Sequence, residues 1–377
     1  MLQPRFGPGL PVPWFTVRSS SNPEYHFGTT AGRHIVLLFV GSAGVAGGAA
    51  LHAACMAQRA LWDDVRASLF VVTLDPDDER LARVRESLPG VRVFWDDGAK
   101  LMERFGVAER DAAGGQARFV AGALVLDPSL RVMRWFLPTP ERADVAPELL
   151  AFVAALPHPT TGVAQLQAPV LILPRVFDAD LCRTLIAHYR ERGGEDSGYM
   201  KNEGGQIRGV IDYSVKRRFD CIVEDEALKK RIAARIRACL APEIERVFRF
   251  RATRMERYLV ACYDGATGGY FRPHRDNDGD GHREFAVTIN LNAEDYEGGD
   301  LRFPEYGLQT YRAPTGGACV FSCGLMHEAT PVTRGQRFAF LPFLYDEAAA
   351  QRRERNNTKY AEPDKHYRYE PPGGGAV

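Results

Sequence analysis

His274 and Asp276 stand one residue apart, His327 follows 51 residues after Asp276, and Arg337 comes ten residues after His327. Two imidazoles and one carboxylate can occupy one face of an Fe(II) ion and leave three positions open for a chelating keto acid and dioxygen. A His-x-Asp pair supplies two such ligands from a single turn. The guanidinium of Arg337, on the apolar segment running to Tyr345, can grip the far carboxylate of a keto acid through two parallel hydrogen bonds. A bare His-x-Asp is expected by chance in on the order of half of chains of this size, so the ordered set of four carries the weight. The nearby His282-Arg-Glu284 is a second His-x-carboxylate, and its place before an apolar run predicts a surface role.

These residues need strands to hold them. From Arg254 onward the chain reads as short β-rich runs between glycine turns, at Tyr258 to Tyr263, Phe285 to Asn292, Asp300 to Phe303, Ala318 to Ser322 and Phe338 to Tyr345. That punctuation predicts a jelly roll or barrel. Ahead of it lie two apolar stripes at helical spacing, one after Asp178 and one after Asp225, each acid placed to cap a helix. Arg249, Arg251, Arg254 and Arg257 form a charge cluster, read as a solvated face with substrate contact as the alternative. Gly298-Gly299 reads as a turn admitting substrate, and the segment 195–220 as the part that would select it.

The first half has a different texture. Ile35 to Val40 and Leu69 to Leu74 are continuous β-rich apolar runs of the buried parallel type, Ala49 to Val65 is a plausible crossover helix between them, and Ala123 to Pro128 with Arg131 to Phe136 predicts an antiparallel hairpin closing the sheet. Strands alternating with helices indicate an α/β layer fold. A Pro- and Thr-containing stretch, Pro157 to Ala168, separates the halves. The expected division is therefore 1–156, a linker at 157–169, 170–347, and a polar tail at 348–377.

Composition excludes several classes. Lys plus Arg and Asp plus Glu both number 48, which argues against a nucleic-acid or polybasic membrane binder and favours a small or neutral substrate. The longest apolar stretch near the N-terminus, Ile35 to Val40, is far short of a membrane span. Met1 to Pro13 carries four prolines and no apolar h-region, so a cytoplasmic protein is expected. Seven cysteines, an odd number without a C-x-x-C, indicate neither a disulfide framework nor a zinc ribbon. Oligomeric state is not legible.

Two resemblances follow from longer motifs. Gly9-Leu-Pro-Val-Pro-Trp-Phe15 and Gly32-Arg-His-Ile-Val-Leu-Leu-Phe39, with the strand order, resemble the peroxiredoxin branch of the thioredoxin-like superfamily over about residues 5–155. That family needs a thiolate at the start of the helix after the first long strand. Here the turn is Gly41-Ser-Ala-Gly-Val-Ala-Gly-Gly48, and Cys55 falls seven residues later, where a buried core thiol is expected. The second half, about 170–347, resembles the prolyl 4-hydroxylase group of Fe(II)/2-oxoglutarate oxygenases. The residues that carry this are Ala261-Cys-Tyr-Asp-Gly265, Gly269-Tyr-Phe-Arg-Pro-His-Arg-Asp276, Ile289-Asn-Leu-Asn292, Gly298-Gly-Asp-Leu-Arg-Phe-Pro304 and His327-Glu-Ala-Thr-Pro-Val-Thr-Arg-Gly-Gln-Arg337.

The second resemblance implies a double-stranded β-helix with flanking helices. It also implies iron on His274, Asp276 and His327, 2-oxoglutarate on Arg337 with Tyr263 beside it, and ascorbate as a further candidate cofactor. The implied reaction is hydroxylation of a prolyl or other amino-acid-type substrate with release of succinate and CO2. Asp276 stands where related halogenating sites have a small residue, which favours hydroxylation. Asn290 departs from the aromatic or hydroxyl residue that relatives often place on its strand. An alternative function rests on the first half, as a thiol redox or partner-binding protein with a non-catalytic oxygenase module.

Overall fold

The strand His34–Gly41 is buried at every position, as is its parallel neighbour Ala67–Thr73, because apolar side chains point alternately to both faces of the sheet. The computed structural model describes residues 2–109, 118–158, 166–203, 206–277, 279–359 and 366–371. The chain divides into two compact units, Met1–Val163 and Ala164–Val377. Of the expected linker, Pro159, Thr160, Thr161 and Gly162 lie outside the described residues.

In the first unit a seven-stranded sheet runs in the order Tyr25–His26, Thr16–Ser19, Val91–Trp95, Ala67–Thr73, His34–Gly41, Gly122–Leu126, Val132–Phe136. Val36, Leu38 and Val40 bury one face together with Leu51 and Cys55. Ile35, Leu37 and Phe39 bury the other with Phe70, Phe94 and Phe105. The crossover helix is Ala46–Ala57, earlier and shorter than the expected Ala49 to Val65. A short 3-10 turn, Arg59–Leu61, follows it, and Asp63 then accepts from the backbone N–H groups of Val65, Arg66 and Ala67 where the chain turns back into the sheet. The sequence reading missed Val91–Trp95, a third parallel strand, whose Arg92 breaks the apolar run and pairs with Asp64 at 2.7 Å.

At the turn where a peroxidatic thiol would sit, Ser42 donates to Asp75 and the Ala43 N–H to the buried Asp78. Two carboxylates there oppose the formation of a thiolate. Gly48 is required by space, since a Cβ would lie 2.4 Å from the carbonyl oxygens of Val40 and Ser42.

The second unit is built on two larger antiparallel sheets, with two-stranded pairs at Tyr199–Glu203/Gln206–Val210 and Glu297–Gly298/Val332–Arg334 beside them. The larger, of nine strands, runs Leu171–Leu173, Ala318–Ser322, Phe285–Asn290, Gln336–Phe340, Leu259–Asp264, Phe219–Ile222, Glu195–Asp196, with Arg254–Glu256 and Phe343–Tyr345 paired off this path. The smaller runs Lys216–Arg217, Tyr270–His274, His327–Ala329, Leu301–Arg302, Thr310–Tyr311. From Leu259 to Phe340 the chain passes repeatedly between them: Leu259–Asp264, Phe285–Asn290, Ala318–Ser322 and Gln336–Phe340 lie in the larger sheet, and Tyr270–His274, Leu301–Arg302 and His327–Ala329 come between them in the smaller. The expected Phe338 to Tyr345 run is two strands, because Leu341 and Pro342 interrupt it.

The helices Ala179–Arg192 and Glu226–Cys239 begin at Asp178 and Asp225, whose carboxylates accept from the N–H groups of Leu181 and Leu228. The segment expected to be a polar tail begins as the helix Glu347–Arg355, capped by Asp346. Glu347 takes Arg254 at 2.8 Å, and Tyr367 and Tyr369 pack on Tyr345, Ala349 and Ala350. Small alanines and ion pairs hold this segment where larger apolar residues are lacking. The parts of the expected tail at 360–365 and 372–377 lie outside the described residues.

Candidate metal centre and anion pocket

Tyr270–His274 and His327–Ala329 are adjacent strands of the smaller sheet, and their register sets His274 directly opposite His327. The register shifts between Phe271 and His274, a stretch that contains Pro273, which has no N–H to give to a ladder. Asp276 lies just past the strand, its N–H bonded to the Cys323 carbonyl at 3.1 Å. A carboxylate oxygen of Asp276 is 3.3 Å from His327 Nε2, and the other is 3.8 Å from His274 Nε2. For ligands about 2.1 Å from a metal and at right angles, the expected spacing is about 3 Å. Among the described residues these three form the group able to hold an ion.

The tautomers suit that role. His274 Nδ1 lies 2.7 Å from the Arg272 carbonyl and His327 Nδ1 3.0 Å from the Leu325 carbonyl. A carbonyl only accepts, so each Nδ1 carries the proton and each Nε2 lone pair faces Asp276. Burial, and then His327, pushes the His274 pKa down to about 3, keeping the ring neutral. Phe271 stacks on His274 with ring centroids 3.5 Å apart, and Phe321 lies 4.6 Å from His327, fixing both rings.

Arg337 stands on Gln336–Phe340 of the larger sheet, directly across from Tyr263 on Leu259–Asp264. Its guanidinium carbon is 5.0 Å from the Tyr263 ring centroid. Arg337 is 2% exposed, yet its Nε and Nη1 have no hydrogen-bond partner among the described residues. A buried cation with unanswered N–H groups is costly, and a carboxylate is the ligand that answers it. Triad, Tyr263 and Arg337 all line one cavity of about 360 Å³, so the donors present fit a metal ion together with a chelating dicarboxylate.

Residues 258–345 match the sequence profile of the 2OG-Fe(II) oxygenase superfamily; the second unit contains a 2OG-Fe(II) oxygenase domain. Among curated proteins, the PKHD-type hydroxylase PiuC of Pseudomonas aeruginosa is 39% identical over 92 residues, which are 22% of this chain and 39% of that protein. The chain thus spans about two fifths of the length of such relatives. Among solved structures, a Pseudomonas putida prolyl-4-hydroxylase is 22% identical, covering 48% of this chain and 93% of that one, with a TM-score of 0.36. Peroxidoxin BcpB from Mycobacterium tuberculosis is 18% identical, covering 40% and 98%, with a TM-score of 0.34.

Several expectations change here. His282 is buried and bonded to Glu256 at 3.1 Å, and Arg283 pairs with the same carboxylate at 2.6 Å; the decoy motif is an internal ion-pair network and not a surface feature. The arginine cluster divides: Arg249 and Arg251 are exposed, while Arg254 is paired and Arg257 lines the cavity. Gly298 and Gly299, at φ 69° and 66°, keep the left-handed backbone expected of a turn, and a Cβ on Gly299 would also press on Val332 and on Arg337 Cδ. Asn290 is buried and donates to the Ala313 carbonyl at 2.7 Å.

Other cavity residues escaped the sequence reading by name. Lys216 and Arg218 line the cavity from within the 195–220 segment. Lys216 donates to Ser197 Oγ and the Gly198 carbonyl, both at 2.7 Å. Arg218 pairs with Asp220 at 2.6 Å. Burial, then Arg218, pushes the Lys216 pKa down to about 6. The only available signal was Lys216-Arg-Arg218, which looks like an ordinary basic surface run.

Proposed function

We propose that the second unit is an Fe(II)- and 2-oxoglutarate-dependent hydroxylase on a double-stranded β-helix. In this reading His274, Asp276 and His327 hold iron, and Arg337, backed by Tyr263, binds the distal carboxylate of 2-oxoglutarate. The substrate is a prolyl or other amino-acid-type compound, free or in a peptide, and the co-products are succinate and CO2. The observation that carries this reading is the buried, unanswered guanidinium of Arg337 sharing one cavity with the His/Asp/His cluster.

Iron bound there supplies dioxygen activation coupled to oxidative decarboxylation of the keto acid. The residues of this chain do the positioning. The carbonyls of Arg272 and Leu325 hold both imidazoles in the ligating tautomer. The pairing of Tyr263 with Arg337 would hold the far carboxylate of the co-substrate within the cavity that the triad also lines. Phe271, Phe321 and Leu341 supply apolar wall, which limits water beside the reacting atoms. Ascorbate would act as a reductant of the metal, and turnover with and without it measures that dependence.

The test is anaerobic addition of Fe(II) and 2-oxoglutarate to the full chain, read by the visible charge-transfer band of a chelated keto acid. The expected result is a band in the wild type that His274→Ala abolishes. Absence of the band from the wild type, or its persistence in the variant, rejects the assignment.

A further inference from the structure

The cations around the cavity are nearly all answered. Arg218 is paired with Asp220, Arg283 with Glu256 and Arg275 with Glu305. Two are not. Arg337 is one, and the other is Arg257, which lines the same cavity and has no hydrogen bond or ion pair among the described residues. Its guanidinium carbon lies 5.0 Å from the Phe343 ring centroid, and Arg283 approaches the same ring at 4.1 Å.

The acids nearest to Arg257 are already engaged. Glu256 takes His282, Arg283 and Arg353, and Asp220 takes Arg218. Burial lowers the Arg257 pKa to about 10, which leaves it charged at neutral pH. Its backbone is held at φ 68°, a left-handed conformation that costs a non-glycine residue energy and is retained where the surroundings enforce it.

Arg257 and Arg337 stand at opposite ends of an antiparallel pair of chain segments, since Glu256 pairs with Phe343 and Tyr263 with Arg337. Arg257 rests against Phe343, six residues beyond Arg337 in sequence. When the site is filled as proposed above, Fe(II), Asp276, the 2-oxoglutarate dianion and Arg337 cancel in charge, and the positive charge of Arg257 is left over.

Resting on that reading of the site, we infer that Arg257 binds a carboxylate of the substrate, so that the enzyme acts on a compound with a free carboxylate. A free amino-acid derivative and the C-terminal end of a peptide share this chemistry. Arg257 is then a specificity-determining residue, not a ligand of iron or of the co-substrate.

The test uses the full chain loaded anaerobically with Fe(II) and 2-oxoglutarate. The charge-transfer band is recorded first, and its absence refutes the parent reading before any substrate question arises. Calorimetry then follows binding of N-acetylated common amino acids, each as free acid and as primary amide, with tripeptide acids and amides alongside to tell a peptide terminus from a small molecule. The expected result is one or more free acids bound at least tenfold more tightly than their amides. Arg257→Gln should erase that preference, weakening the acid roughly ten- to a hundredfold, as for loss of a charged hydrogen bond, while the 2-oxoglutarate titration stays as in the wild type. Arg257→Lys should keep part of the preference, which separates charge from packing. The inference is overturned if no acid is preferred over its amide, if Arg257→Gln keeps the preference, or if that variant weakens 2-oxoglutarate.

Discussion

Replacing Arg337 by Met should move two measurements in opposite directions. The guanidinium is 2% exposed and offers Nε and Nη1 without partners. A hydrogen bond to a charged group contributes about 1.5–3 kcal/mol, and a bidentate pair is stronger than one. Losing it should weaken 2-oxoglutarate by about 3–4 kcal/mol, or roughly two to three orders of magnitude in Kd. The assay is an anaerobic titration of the Fe(II)-loaded chain with 2-oxoglutarate, read at the charge-transfer band.

Without ligand the sign reverses. An unanswered buried cation costs about 1–3 kcal/mol or more, and Met fills a similar volume without it. The variant gives up the contact with Tyr263, 5.0 Å away, worth about 0.5–1 kcal/mol. Urea unfolding of the metal-free chain should therefore find Arg337→Met as stable as the wild type or more so. Added 2-oxoglutarate with Mn(II) in place of Fe(II) should stabilise only the wild type, by about 2.7 kcal/mol at a hundredfold excess over Kd. A variant that binds 2-oxoglutarate within tenfold of the wild type, or that is destabilised by several kcal/mol, refutes the assignment of Arg337 as an anion receptor awaiting its ligand.

Three further outcomes follow from the same structure. Asp276→Ala should lower Fe(II) affinity at least tenfold, measured by metal retention after dialysis; unchanged retention would mean that metal is held elsewhere. Cys55 is fully buried with its thiol pKa pushed up by burial to about 12, and the other six cysteines are also buried. Native protein should therefore label with a thiol reagent only on unfolding, and Cys55→Ser should leave peroxide consumption unchanged; rapid native labelling or lost consumption would revive the thiol-redox alternative. Lys216 is neutral when folded above about pH 6, whereas an unfolded lysine holds its proton up to about pH 10.4. The unfolded state binds the extra proton in that window, so this group makes stability rise as pH increases from 6 toward 10 and fall as pH drops. Lys216→Met should flatten the dependence in urea unfolding at pH 6 to 9, and an unaltered slope would count against a desolvated lysine.

What could be read from the sequence divides along a physical line. Apolar periodicity marked Ile35 to Val40 and Ala318 to Ser322 because burial on a sheet demands it. Asp178 and Asp225 marked helix starts because a capping carboxylate acts on neighbouring N–H groups. What could not be read depends on partners distant in sequence. Arg254 and Arg257 have similar local contexts, yet one meets Glu347 and the other faces the cavity. His282 resembled an exposed residue because Glu256, which buries it, lies 26 residues earlier. The strands 195–196, 216–217 and 301–302 are two residues long, too short for any period to show.

The candidate site itself depends on register, which motif reading does not contain. His274 and His327 are cross-strand partners in the smaller sheet, and Tyr263 and Arg337 are cross-strand partners in the larger one. A slip of one residue in either pairing would turn a functional side chain to the opposite face. Each pairing is locked by groups that do no chemistry: the Cys323 carbonyl receiving Asp276 and Asn277, and Asn292, which accepts from the Phe338 N–H and donates to the Gln336 carbonyl at 2.9 Å each. Asn292→Ala should therefore act on Arg337 without touching it. The expected signature is weaker 2-oxoglutarate binding with Fe(II) retention unchanged, because Asn292 braces the larger sheet and the iron ligands hang on the smaller. Equal losses of metal and co-substrate would show instead that the two sheets fail as one body, and the separation of roles between them would fall.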